Sequence, residues 1–358
     1  MGAEGSVMEL LIGTYTERKA FVDGHAPGLL AATWEAPASG ERRIGEARLA
    51  AKSVNPSWVA RTRDGARVYC TAELENGRVV GFARGDAGTL TALGEQDSHG
   101  ADPAHLGLDA DERLLAVANY SGGTIAILPL DADGRPGAAT SVHTQPAPVV
   151  PTGRAEQESA HPHHVEFDPV TGQLLVADLG LDRVCVFDVT GDGVLEPRPE
   201  RDVVLPPGTG PRQLAFDETQ SRLFVIGELG NTVHELRRTA GGFQVHGGIG
   251  TLPPGEAGDG DSGAALLYSA AHSRLYATTR GRDTVTIIDT SGPELARVAV
   301  IPSGGRTPRG ATLTPDGRLI VAHQDDDAVV VFDLDPDGMP VPADRTTIAS
   351  PVCLVGFY

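Results

Sequence analysis

Short hydrophobic runs and polar turns recur along the chain in a fixed order. A strand opened by Pro or Gly is followed by a short turn, a second and more apolar strand, a polar residue with a Gly, Asp or Asn turn, and a further strand. Six copies begin at Asn55, Asp102, His161, Gly210, Ser262 and Thr307. In the fourth, GPRQLAF leads through DETQS to RLFVIGE, and LGN leads on to TVHEL. A period of about 45 to 50 residues carrying several short strands predicts a β-propeller. The chain ends on SPVCLVGFY, an opening strand with nothing after it, and begins with MELLIGTYTE and GLLAATWEA, the strands this one lacks. The expected fold is therefore all-β: a seven-bladed β-propeller of four-stranded antiparallel blades. N- and C-terminal strands share one blade and close the ring, which removes open edges.

Residues 1–7 read as a flexible leader and 8–358 as a single propeller domain, because a closed ring holds this length without a linker. Two connections are long for turns, 144–160 and 251–261. Each is either a binding wall or lid, or a disordered insertion. The 45 glycines and 26 prolines fall mainly at strand junctions, where they form turns. With 29 Lys+Arg against 48 Asp+Glu the net charge is −19, which argues against nucleic acid and anionic membranes as partners. There is no apolar run near the ~20 residues of a membrane span and no signal-like start, so a cytoplasmic protein is expected. Cys70, Cys185 and Cys353 lie in strand-like runs without paired spacing, which predicts buried thiols rather than disulfides or a zinc site. Nothing in the pattern sets an oligomeric state.

Equivalent positions of successive blades fall at equivalent places around the axis. The residue after the opening Pro is Ser57, Ala104, His163, Arg212, Arg309 or Val352, and these side chains should line the channel. A second register, aligned to within one residue at the end of the apolar strand, holds Thr14, Glu73, Asn119, Asp178, Glu228, Arg280 and Gln324. Strand ends are polar wherever they reach solvent, so single members carry little. Arg212 and Glu228 share a blade and should meet by antiparallel pairing. They form either an ion pair that holds the blade or, with His163 and further arginines, an anion site suited to carboxylate or phosphate. Strand alternation puts His161 and His163 on one face and His164 on the other, so HPHH does not converge on a metal, and no metal or cofactor is expected. G-x-S-x-G is absent and no Cys has a polar setting, which leaves no covalent nucleophile.

LIGTYT, NPSWVA, VANYSGG, RAEQESAHPHHVEFDP, GTGPRQLAF with GELGNTV, and SPVCLVGF resemble the lactonase family of seven-bladed propellers. That family includes propeller-type 6-phosphogluconolactonases and carboxy-cis,cis-muconate cyclases. The resemblance covers essentially the whole chain and implies a site of His163, Arg212, Glu228 and Arg280. Departures from the family pattern are Gln213 where His is common, Gly227 where Asn is common, and Ala264 and Ala265 where an acidic residue is common. The leading expectation is metal-independent hydrolysis of a small anionic lactone. Arg212 and Arg280 would hold the substrate, and His163 or Glu228 would act as acid and base, His163 being favoured by its reference pKa. Arg309, His161, Asn119, Asp178 and Gln213 are expected around the substrate. The rival readings are a lactonising cyclase or lyase acting on a muconate-like carboxylate, and a propeller that binds without catalysis.

Overall fold

The computed structural model describes residues 8–35, 43–147 and 152–357; the expected leader lies outside them. Seven antiparallel sheets follow the repeats. Blades 1 to 6 occupy residues 59–97, 103–144, 162–204, 211–250, 262–302 and 308–347. The seventh has Pro351–Phe357 innermost, then Met8–Thr14 and Leu29–Glu35, with Arg43–Ile44 and Arg48–Ala51 on its rim. Both termini therefore build one blade, as the sequence pattern implied. A small hairpin, Arg18–Lys19 paired with Val22–Asp23, interrupts this blade and was not anticipated.

The second strand of each blade reads as a continuous apolar run because neighbouring blades cover both of its faces. Leu114–Asn119 is buried at every position. Ala116 and Ala118 pack with Val165 and Val176 of blade 3, while Leu115 and Val117 pack with Tyr69 and Val79 of blade 1. Leu10, Ile12 and Leu30 of the shared blade likewise pack with Ile320 and Val329 of blade 6.

The innermost strands carry one residue more than their partners can pair. Pro162 pairs with Asp178 and His164 with Ala177, which leaves His163 outside the ladder. The same count leaves Ala104, Arg212, Arg309 and Val352 unpaired in their blades. Such a β-bulge bends the strand and re-aims the extra side chain, here toward the axis. Just before the proline, Asn55, Asp102, Gly210, Thr307 and Ser350 have φ between 42° and 60°. Their carbonyls accept N–H from Glu73, Tyr120, Glu228, Gln324 and Tyr15. Gly210 is required there, since a Cβ would lie 2.6 Å from the Leu229 side chain.

Val352, Cys353, Leu354 and Phe357 are buried in the closing strand, at roughly 1.5–3 kcal/mol for a large apolar side chain. Deleting 351–358 also exposes Met8–Thr14 as a bare edge. The truncated chain is expected to lose its cooperative melt and to be cut by protease in its N-terminal strands; a melting temperature equal to that of the full chain would contradict closure by the termini.

Candidate functional site

The bulged residues meet. Ala104, His163, Arg212, Arg309 and Val352 line one axial cavity, together with Ser57, Glu73, His105, His164 and Gln213. The bulge also changes the face of His164: it reaches the same cavity next to His163, where strict alternation would have sent it away, and its ring stacks on His105 at 3.7 Å.

The second register needs correction by one residue. Hydrogen bonding to the residue before the proline makes Tyr15, Glu73, Tyr120, Leu179, Glu228 and Gln324 equivalent, and Arg280 takes this place opposite Ser262. Thr14, Asn119 and Asp178 stand one residue earlier, and a one-residue slip turns a strand side chain to the opposite face. Asn119 Nδ2 donates to the Ser98 carbonyl at 2.7 Å. Asp178 accepts from the backbone N–H of His161 and Leu181 and from Gln145 Nε2, and burial pushes its carboxyl up to about 6. Both residues clamp loops within the blades and are not brought to the arginines. Gly227 occupies this same earlier position, opposite Pro211, so its lack of a side chain takes nothing from the channel; a Cβ there would lie 2.5 Å from the Thr209 carbonyl.

Glu228 is the centre of the cluster. Its Oε2 lies 2.8 Å from Arg212 Nε and its Oε1 2.8 Å from Arg280 Nη2. His163 Nε2 is 3.9 Å from the same carboxylate. Arg212 Nη1 donates to the Ala264 carbonyl at 2.6 Å, so the alanine that replaces the family's acidic residue serves through its backbone. Gln213 Oε1 accepts the Leu266 N–H at 3.2 Å beneath this cluster. The His161 ring stacks on Tyr120 at 4.5 Å and its Nδ1 donates to the Tyr120 carbonyl, which makes His161 a support for Tyr120. Tyr120 in turn sets its ring edge-on to His163 at 5.5 Å.

Across the cavity, Arg309 Nη2 donates to Tyr15 Oη at 3.1 Å, and Tyr15 donates to the Glu73 carboxylate at 2.9 Å. Lys19 of the unanticipated hairpin reaches Glu73 at 3.1 Å and Asp102 at 2.7 Å. Tyr15, Tyr120 and Lys19 were missed in the sequence. Counting from the apolar strand rather than from its polar end would have found the two tyrosines. Lys19 has no repeat partner and leaves no such signal.

Burial alone would raise the Glu228 carboxyl, but Arg280 and Arg212 hold it well below the usual carboxylate range. Burial, reinforced by Arg212, holds the His163 imidazole well below its ordinary value and hence neutral at pH 7. Arg212 is itself pushed down to about 9 by burial, against the pull of Glu228. Among the described residues no three His, Cys, Asp or Glu side chains are grouped to hold a metal ion.

A family profile described as "Lactonase, 7-bladed beta-propeller" matches residues 9–355. The chain belongs to this lactonase family. A Bacillus subtilis (strain 168) protein named 6-phosphogluconolactonase is 26% identical over 355 residues, covering 96% of each chain. A Yersinia enterocolitica protein of the same name is 30% identical, covering 72% of this chain and 74% of its own. The solved periplasmic gluconolactonase of Pseudomonas aeruginosa has a TM-score of 0.88 at 26% identity, over 99% of each chain. No helix among the described residues is long and apolar enough to cross a membrane. Because this last relative is described as periplasmic, membership of the lactonase family does not carry with it the cytoplasmic setting expected from the sequence.

His163 and Glu228 each bind fewer protons folded than unfolded, so stability falls as pH falls. The histidine contribution is lost below the unfolded value of about 6.5 and the glutamate contribution below about 4.3. In urea melts between pH 5 and 6.5, His163→Gln is expected to flatten the stability slope by up to about 1.4 kcal/mol per pH unit. An unchanged slope would show that His163 titrates freely in the folded protein.

Proposed function

We propose that this chain hydrolyses a small anionic lactone in its axial cavity, with His163 as general base and Arg212 and Arg280 facing the oxyanion. The observation that carries this reading is the convergence of both guanidinium groups on Glu228 with a neutral imidazole 3.9 Å away. A water molecule attacks the lactone carbonyl carbon and passes its proton to His163. Ionised Glu228 stabilises the imidazolium that results. Collapse of the tetrahedral intermediate breaks the bond between the carbonyl carbon and the ring oxygen, and His163 returns the proton to that oxygen. Arg212 and Arg280 share a single carboxylate, so one unit of positive charge remains to meet the transient oxyanion.

A cysteine nucleophile is disfavoured physically. Burial pushes the Cys70 and Cys353 thiols up to about 12, and burial also raises Cys185 well above its ordinary value. The thiolate needed for attack is therefore scarce at neutral pH. Retention of His163, Arg212, Glu228 and Arg280 in one cluster supports catalysis over a propeller that only binds.

Assay of the purified protein on a lactone panel beside cis,cis-muconate-like acids separates hydrolysis from the lactonising reaction. His163→Asn is expected to lower kcat by about 10²–10⁴ and Arg280→Ala by about 10²–10³. The acid limb of kcat/KM should lie below pH 6.5, because the base must be neutral and its pKa is depressed. Full turnover by Glu228→Gln would remove the carboxylate from the mechanism.

A further inference from the structure

We infer that Arg309 is the subsite for the substrate's anionic arm, across the cavity from the reacting carbonyl, and that it sets the preference for a charged lactone over a neutral one. This rests on the hydrolytic reading above. The cavity has two unlike sides. On one, His163 and Arg212 line it, with Glu228 and Arg280 joined to them by ion pairs. On the other, Arg309 and Glu73 line it, bridged by Tyr15, and small Ser57 and Ala104 with Val352 complete the wall.

Direct ion pairing separates the arginines. Arg212 and Arg280 each have a Glu228 oxygen at 2.8 Å. Arg309 donates to the neutral Tyr15 hydroxyl instead, and among the described residues no carboxylate is in ion-pair contact with it. Burial pushes the Tyr15 hydroxyl well above its ordinary value, so it stays protonated. Its proton is spent on Glu73 and its lone pair faces Arg309. One guanidinium edge is thus anchored while the remaining donors stay available for an anion, for which a bidentate grip is the favoured geometry.

The hairpin completes the subsite. The guanidinium of Arg309 lies 5.5 Å from the Tyr15 ring and 5.4 Å from the Phe21 ring, and the two rings meet edge-on at 5.5 Å. Lys19, on the same hairpin, ties it to Glu73 and Asp102. Two aromatic surfaces restrict the cation and shield it from water, which strengthens its interaction with a bound anion. The relatives' names include both a phosphorylated and an unphosphorylated lactone. Arg309 places this chain with the charged substrate.

The test compares kcat/KM for 6-phosphogluconolactone with that for glucono-δ-lactone in wild type, Arg309→Gln and Arg309→Lys. The ratio of the two is expected to fall about 10- to 100-fold in Arg309→Gln, through KM rather than kcat. Arg309→Lys keeps the charge, guards against a Gln variant that does not fold, and should retain most of the preference. A ratio that stays at the wild-type value in Arg309→Gln, or a Lys variant that folds and loses the preference completely, overturns the inference. Calorimetric titration with 6-phosphogluconate and gluconate reads the subsite without turnover. Should wild type hydrolyse neither lactone, the hydrolytic reading fails, while the subsite stands if 6-phosphogluconate binds wild type and not Arg309→Gln. Equal binding to both proteins refutes the subsite.

Discussion

One surplus residue on the innermost strand, present as Ala104, His163, Arg212, Arg309 and Val352 in their blades, governs this molecule. A flat inner strand would commit every side chain to one blade face or the other, and both faces are already filled by neighbouring blades. The bulge releases a single position from that choice and turns it to the axis, as at His163 between the paired Pro162 and His164. Proline before the bulge supplies a residue without an N–H, and the left-handed residue before it aims a carbonyl at the end of the next strand. Hydrogen bonding thus fixes two rings of axial positions, and the amino acids at those positions decide the chemistry.

Electrostatics then divide the cavity. A carboxylate between two arginines is a closed unit: burial would neutralise Glu228 were the cations absent, and burial would weaken Arg212 were the anion absent. Such a unit holds geometry and keeps one unit of positive charge, and a neutral imidazole can accept a proton from water beside its carboxylate. Arg309 meets no carboxylate directly among the described residues; Glu73 acts on it from beyond the Tyr15 hydroxyl. In a chain with a net charge of −19, a shielded guanidinium at the axis is a local reversal of sign that draws small anions inward.

The propeller was legible because the repeat shows six times and the termini complete the seventh copy. The first axial register was legible too, because the proline marks it: His163, Arg212 and Arg309 all follow from that marker. The second register was blurred. Its reference point was a polar strand end, and Asn119 and Asp178 are polar for another reason, the satisfaction of buried loop groups. The positions that reach the axis in those blades carry Tyr120 and Leu179, which read as ordinary strand continuation. Gly227, a departure from the family pattern, belongs to that same earlier position as Asn119 and Asp178. Lys19 and Phe21 were illegible because a hairpin unique to one blade has no sister copy to align with, and its placement over Arg309 is a tertiary fact.

The shared blade has a temporal consequence. Tyr15, the anchor of Arg309, is synthesised long before Ser350, whose carbonyl holds its N–H. Val352, from the same late strand, walls the cavity beside it. The nascent polypeptide can assemble blades 1 to 6 in order, yet Tyr15 is set beside Arg309 in a closed ring only once Pro351–Phe357 has been made and docked. Closure of the ring, and with it the Arg309 side of the cavity, therefore comes after the other blades have been made.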